Sequence, residues 1–397
     1  MEHLFVANQV LSNESQVIPT IQVLTEKISI SGRRDLWVIE SETGRLPGLD
    51  ISLEETSVCI VNSDGKVIRE TKVATDPDAL AKELADSKVS LKRVGLEASS
   101  LGGWLRAELS RRGFPAIVVE ARHMRASLNA QRNKTDRNDA RGIAHMMRMG
   151  WFRAVHVKSP EAQRLRLLLA NRRLLKRKLV DLENHVRGAL RAFGLLVGNV
   201  ARGGYEARVL ELIADTDRAL KTFIMTMLEV RKAVMNGYNS LHKALIGIVA
   251  ADPLCRRFMT VPGVGPIAAL SVRAGVDDPL RFTSSRAVGA HFGLTPRKWQ
   301  SGTIDIDGSI TKQGDTDVRT ALCEAAGSML MRSKKWTALR AWGLRIAKRT
   351  SMKNAMIAVA RKLAVILHRM WIDGSEFIFA KGAAVVEKRV LIGTIVE

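Results

Sequence analysis

The sequence predicts an α/β domain built on a mixed sheet, followed by an all-α region that carries a long helical arm. Three observations carry this: short apolar β-type segments before residue 120, a switch to 3.5-residue apolar spacing from Leu165, and a basic, glycine-punctuated, helix-rich stretch after Pro253. A length of 397 residues fits more than one domain, because single cores rarely grow past about 250–300 residues.

Residues 1–44 have no clean period and many polar residues, and read as a weakly ordered leader. Gly48 to Ser52 then reads as a strand and Thr56 to Val61 as a second. Asn62-Ser63-Asp64-Gly65 is a hairpin turn into a third strand, Lys66 to Val73. Asp76 and Pro77 open a helix, an amide acceptor followed by the residue suited to the first helical position. Arg93 to Ala98 reads as a strand, Leu101 to Arg112 as a helix, Phe114 to Val119 as another strand, and Asp136 as a helix start. A hairpin followed by β/α order gives a mixed sheet with helices against it, and this domain is drawn over 45–158.

From Leu165 to Leu196 the apolar residues keep a and d heptad positions, through Leu175, Leu182 and Phe193, with Arg172 as the polar member. Leu220, Phe223, Met227, Val230, Val234 and Leu241 do the same. This predicts a helical coiled-coil arm over 159–250, broken at Gly198 to Gly204. The pattern suits a hairpin within the chain, a coil between chains, or a plain two-helix core layer.

A helix-rich domain is drawn over 251–374 and a tail over 375–397. Phe258 to Ala269 reads helix, glycine turn, helix. Gly263 and Gly265 bring backbone N–H groups to a helix start, which suits a phosphate oxygen in a helix-hairpin-helix, or else makes a plain helix turn. Phe282 to Phe292 reads as a helix stopped by Gly293, and another helix starts at Asp317. Between them Ser301 precedes Gly302 in a loop flanked by Arg297, Lys298, Lys312 and Arg319. Cations of that kind bind a phosphate beside a serine nucleophile, but spacing alone makes Ser301 a turn residue, with His291 the nearest imidazole.

The 62 Lys and Arg outnumber 40 Asp and Glu, giving a net charge of +22, which predicts a polyanionic partner, nucleic acid above all. Cys59, Cys255 and Cys323 are widely spaced with no Cys-x-x-Cys pair, which argues against a disulfide scaffold or zinc site and fits a cytoplasmic protein. The most apolar stretch, Ala355 to Trp371, contains Arg361, Lys362 and Arg369, so no membrane span is expected. The first residues do not resemble a signal peptide.

Four acids stand out. Asp50 lies inside an apolar strand and Glu97 at the end of another. Asp136 and Asp139 share one face of a helix start, about 5–6 Å apart at Cβ. Singly, Asp50 suits a turn or cap, and Asp136 or Asp139 a helix cap. As a set of oxygen ligands they select Mg²⁺ or Mn²⁺ over zinc, the pattern of two-metal phosphodiester chemistry.

The series Gly48-Leu-Asp-Ile-Ser, Gly95-Leu-Glu-Ala-Ser and Asn133-Lys-Thr-Asp-Arg-Asn-Asp-Ala140 resembles the DEDD transposases of the insertion-sequence family called IS-one-ten, and is similar to the Piv-type DNA invertases. Leu294-Thr-Pro-Arg, Ser301-Gly and Thr311-Lys-Gln-Gly-Asp resemble the C-terminal transposase domain of the same family. The resemblance runs from about Leu46 to about Gly374; Glu97-Ala-Ser-Ser stands where Glu-Ala-Thr-Gly is common. It implies a RuvC-like, ribonuclease-H-type N-terminal domain with Asp50, Glu97, Asp136 and Asp139 as the Mg²⁺-binding tetrad. It also implies Ser301 as a nucleophile joined covalently to DNA, donor and target DNA as substrates, a guide RNA from the element's own non-coding end, and a homo-oligomer, dimer or tetramer. The other expectations are a metal-dependent DNA junction nuclease that uses water, with Ser301 a bystander, and a non-catalytic nucleic-acid scaffold.

Overall fold

The computed structural model describes residues 44–85, 90–120 and 135–379. The expected leader, apart from Gly44, and the expected tail, apart from residues 375–379, lie outside these residues. The chain divides into two compact units, Met1–Ala154 and Val155–Glu397.

The first unit is the mixed sheet. Its strands are β1 (Leu46–Ile51), β2 (Glu55–Val61), β3 (Val67–Ala74), β4 (Val94–Glu97) and β5 (Ala116–Val119), in spatial order 3-2-1-4-5. β1–β2 and β2–β3 are antiparallel, as a tight hairpin requires, whereas β1–β4 and β4–β5 are parallel, as crossover connections require. This is the mixed sheet with helices against it that the hairpin-then-β/α order predicts. The Asn62–Gly65 turn closes with Gly65 N–H donating to Asn62 O at 3.0 Å, and Gly65 supplies the φ of 86° that the turn needs. The helices are α1 (Pro77–Ala85), α2 (Gly102–Arg111) and α3 (Asp136–Met149). Asp76 caps α1 by accepting from the amides of Asp78 and Ala79. Ala140, Ile143, Ala144 and Met147 of α3 bury against Leu46, Cys59, Val61 and Val119 of the sheet.

The second unit is helical. α4 (Pro160–Arg191) and α6 (Arg218–Ala251) pack side by side as an antiparallel hairpin, with α5 (Tyr205–Ile213) near the turn. Leu165 lies in one core with Leu245 and Val249, Arg172 reaches Tyr238 and His242, and Glu183 reaches Arg231. The chain therefore pairs its own two heptad stretches. The seam of α6 is Leu220, Ile224, Leu228 and Arg231; Phe223 and Val230, expected in it, face solvent at 67% and 45% exposure. Helical spacing of 3.6 residues explains the offset, since Phe223 lies next to the Leu220–Ile224 stripe and not on it. Phe193 and Leu196 also fall outside the seam, because α4 ends at Arg191.

The expected helix from Phe282 begins later, and the segment around Ser301 is a strand. After α7 (Pro253–Phe258) and α8 (Pro266–Val276) come α9 (Ser285–His291), an antiparallel pair β6 (Pro296–Ser301) and β7 (Ile304–Ile310), then α10 (Thr316–Met331), α11 (Ala338–Arg349) and α12 (Met352–Asp373). Asp278 and Pro279 open a short 3-10 turn that delays α9 until Ser285. The core of this unit gathers Phe258, Leu270, Phe292, Leu322, Met329, Leu363 and Leu367. Ser159 caps α4, and Asp277, held at a φ of 64°, accepts from both the amide and hydroxyl of Ser159 and lies 2.7 Å from His156. Beside it Lys158 donates to the Gly275 carbonyl, and burial together with the nearby Arg281 guanidinium pulls its ammonium down to about 8. No described helix is long and apolar enough to cross a membrane.

Candidate active site

The carboxylate cluster is assembled by two paired glycines. β1 and β4 run parallel with Gly48 opposite Gly95. Two residues further along each strand, on the same face, stand Asp50 and Glu97, because side chains alternate with period two. A Cβ at Gly48 would run into the Ala140 carbonyl and Ala144 amide, and one at Gly95 would come within 2.7 Å of Ile143 and Met147. Both glycines thus let α3 lie directly on the sheet. One helical turn before Ala140 is Asp136, and one turn before Ile143 is Asp139. A turn rises about 5.4 Å and two strand residues about 6.6 Å, so the helix acids come level with the strand acids.

The electrostatics agree. Asp50, 8% exposed, has its carboxyl pushed up to about 7, first by burial and then by the charges of Glu97, Asp139 and Asp136, with a hydrogen bond to Glu97 as well. The N-terminal end of α3 therefore lies at the C-terminal ends of β1 and β4. Neither helix acid caps the helix. Thr135 does, its hydroxyl accepting from the Asn138 amide at 3.2 Å, which leaves both carboxylates unspent on the backbone. Glu70 of β3 holds α3 from the side through Arg137 and Arg141, at 2.7 and 2.9 Å from their Nε atoms.

Among the described residues no three acid, imidazole or thiol groups stand as a ready-made metal cage. The donor set still fits a divalent cation. An acid this buried and this strongly opposed by three carboxylates takes up either a proton or a cation, and oxygen donors suit a hard one.

The serine belongs to the second unit. Ser301 is the last residue of β6, paired with Ile304 across the two-residue turn Gly302-Thr303, where Gly302 has a φ of 55°. It is exposed, and among the described residues its hydroxyl has no hydrogen-bond partner. The flanking cations differ in use. Arg297 and Lys312 are exposed, whereas Lys298 pairs with Asp305 at 3.0 Å. Arg319 donates to the carbonyls of Phe292 and Gln313 and to Thr316, tying the loop after β7 to α10. His291 turns inward, 3.1 Å from Arg281 and edge-on to Phe282 and Phe292. The glycines of the expected phosphate clamp divide as well. Gly263, at a φ of 86°, presses on the backbone of α10 at Ala325 and Met329, which only a residue without Cβ permits. Gly265 caps α8 with open space around it.

The residues that sequence reasoning passed over are Gly48, Gly95 and Thr135. A signal for the glycines was present, because Gly-Leu-acid occurs twice, at residues 48–50 and 95–97.

Comparison with known proteins gives the following. Residues 47–194 match a family model described as a transposase of the DEDD, IS110 type, and residues 255–341 match one described as Transposase IS116/IS110/IS902 family. The transposase for insertion sequence element IS1111A of Coxiella burnetii is 30% identical, over 81% of this chain and 88% of its own. A probable family 20 transposase of Pseudomonas aeruginosa is 29% identical, over 69% of this chain and 82% of its own. A solved Thermus thermophilus RuvC structure aligns over 28% of this chain and 99% of its own, at 13% identity and a TM-score of 0.23.

Proposed function

The chain belongs to the IS116/IS110/IS902 family of transposases, and from that membership we propose that it cuts and rejoins DNA through the Asp50 cluster and Ser301. It is a DNA transposase, and a DEDD-type family implies divalent-metal dependence in general. The observation that carries the finer reading is the convergence of Glu97, Asp136 and Asp139 on a buried Asp50. These four would hold Mg²⁺, which when bound supplies charge neutralisation at the scissile phosphate. Asp50 and Glu97 fix their oxygens from paired strands, and α3 presents the other two from a rigid helix.

In this reading the Ser301 oxygen attacks phosphorus, the strand's sugar oxygen leaves as a free hydroxyl end, and a phosphoserine ester remains. The seryl proton passes by way of solvent to the departing sugar oxygen, and the rejoining step returns it in reverse. A hydroxyl end then attacks that ester, restoring the strand and the serine. Exposure at the tip of a hairpin supports the role, because the nucleophile must reach a phosphate on a bulky duplex. A charge of +22 supports nucleic acid as partner, including a guide RNA beside donor and target DNA. Exposed Phe193, Leu196 and Phe223 on the arm support a homo-oligomer.

The test is covalent trapping. Ser301→Ala is expected to bind labelled DNA and yield no protein-linked band on a denaturing gel, while Ser309→Ala keeps it. A band from the Ser301→Ala protein sinks the assignment. A second reading is hydrolysis by water at the Asp50 cluster, since a buried acid opposed by three carboxylates fits a divalent cation with or without a serine. Nicked DNA without any protein-linked band from the unaltered protein establishes that one.

A further inference from the structure

The β6–β7 hairpin has two unlike faces. Cross-strand partners share a face, so Trp299 with Ile306 and Ser301 with Ile304 lie on one side, and Gln300 with Asp305 and Lys298 with Asp307 on the other. The first face is apolar and open: Trp299, Ile304 and Ile306 are 54%, 54% and 56% exposed. The Trp299 ring has a seat. Gly308 is its diagonal neighbour, and a Cβ there would collide with the indole, whose Cη2 lies 2.8 Å from that position. The Cζ3 edge of the ring therefore lies close against Gly308, while more than half of the side chain is open to solvent.

We propose that Trp299 is a stacking platform for an unpaired DNA base, placing the strand beside Ser301. This rests on the DNA-cleaving reading above and adds the state of its substrate. Ser301 stands two residues along the same face, about 6.6 Å away. A ring held at its edge by glycine and exposed over more than half its surface offers a flat π surface, which is what a nucleobase stacks on whatever its identity. The base must be unpaired, because a base inside a duplex has both faces covered by its neighbours. Exposed Arg297 two residues before Trp299, and exposed Lys312 just after β7, match a phosphate backbone and disfavour a second, equally basic copy. Three apolar side chains on a two-stranded ribbon also fall short of the roughly 800 Å² per partner of a stable protein interface.

The experiment measures affinity of the full-length protein for a short single-stranded DNA and for the duplex of the same sequence, at one salt concentration. Trp299→Ala is expected to weaken single-strand binding about tenfold, Trp299→Phe to restore most of it, and duplex affinity to change little. Gly308→Ala, which keeps the indole but removes its seat, is expected to weaken single-strand binding too. Unchanged single-strand affinity in Trp299→Ala overturns the proposal while leaving the DNA reading intact. So does an equal loss on both DNAs, which marks a support for the hairpin fold, or a change of sedimentation in Trp299→Ala, which marks a protein partner. If the unaltered protein binds neither DNA, the DNA reading falls with it.

Discussion

Asp50 is a carboxyl under pressure from its surroundings. Burial and three neighbouring acids hold it at about 7, so its negative charge is costly unless a cation shares the site. Asp50→Asn keeps the shape and removes that charge. The expected outcome is a protein that binds DNA as before, melts no lower than the native chain, and does not cut. Full cleavage by Asp50→Asn, read on labelled DNA, would remove Asp50 from the chemistry. Lys158 shows the opposite titration. Its folded value of about 8 lies below the ordinary 10.5, so the unfolded chain binds more protons between those limits and stability rises with pH there. Compared with Lys158→Met, the native chain is expected to gain stability from about pH 8 to 10.5, by at most ~3 kcal/mol. Denaturant melts of both proteins across that range check it, and a flat difference would mean that Lys158 is solvated.

α3 acts as one rigid carrier for two acids, and its seat is glycine on both strands. Gly48→Val places a branched side chain against the backbone at Ala140 and Ala144, so the helix must lift. Overpacking of that kind costs about 1–3 kcal/mol. Loss of cleavage is expected to exceed loss of stability, because Asp136 and Asp139 move together. Cleavage assays beside thermal melts separate the two effects. The strands of this sheet were legible in the sequence because turn chemistry at Asn62–Gly65 and apolar alternation are local signals. Asp50 and Glu97 were legible as acids out of place in apolar strands, and Asp136 and Asp139 as a pair on one face of a helix start. The register that pairs Gly48 with Gly95 was not, since it forms across some forty-five residues of chain. The same limit applies to the arm. The heptads located both helices, but only their mutual packing decides whether Phe223 or Ile224 faces inward.

Over the whole molecule, charge is the property that reaches furthest. Residues 160–191 hold nine Lys and Arg against three acids, and residues 286–349 twelve against five. Some of these are spent internally: Arg166 on Asp315, Arg173 on Asp317, and Arg172 in the seam. The rest predict steep salt dependence, with each neutralised phosphate contributing roughly 0.9 to the log–log slope on duplex DNA. Affinities across a salt titration measure it, and a flat response would mean that these cations face something other than phosphate. The arm has a further consequence. Arg172 and Arg231 sit buried between α4 and α6, Arg172 held by Tyr238 and His242 one turn apart on α6, Arg231 by Glu183 of α4 and the Arg202 carbonyl in the connection beyond it. A slip of one turn would leave both cations stranded, at a cost of roughly 3–5 kcal/mol for the buried Arg231–Glu183 pair alone. The two helices therefore cannot telescope. Thirty-two residues of α4 make a ruler of ~48 Å, the rise of about fourteen base pairs, with a graduation that does not drift.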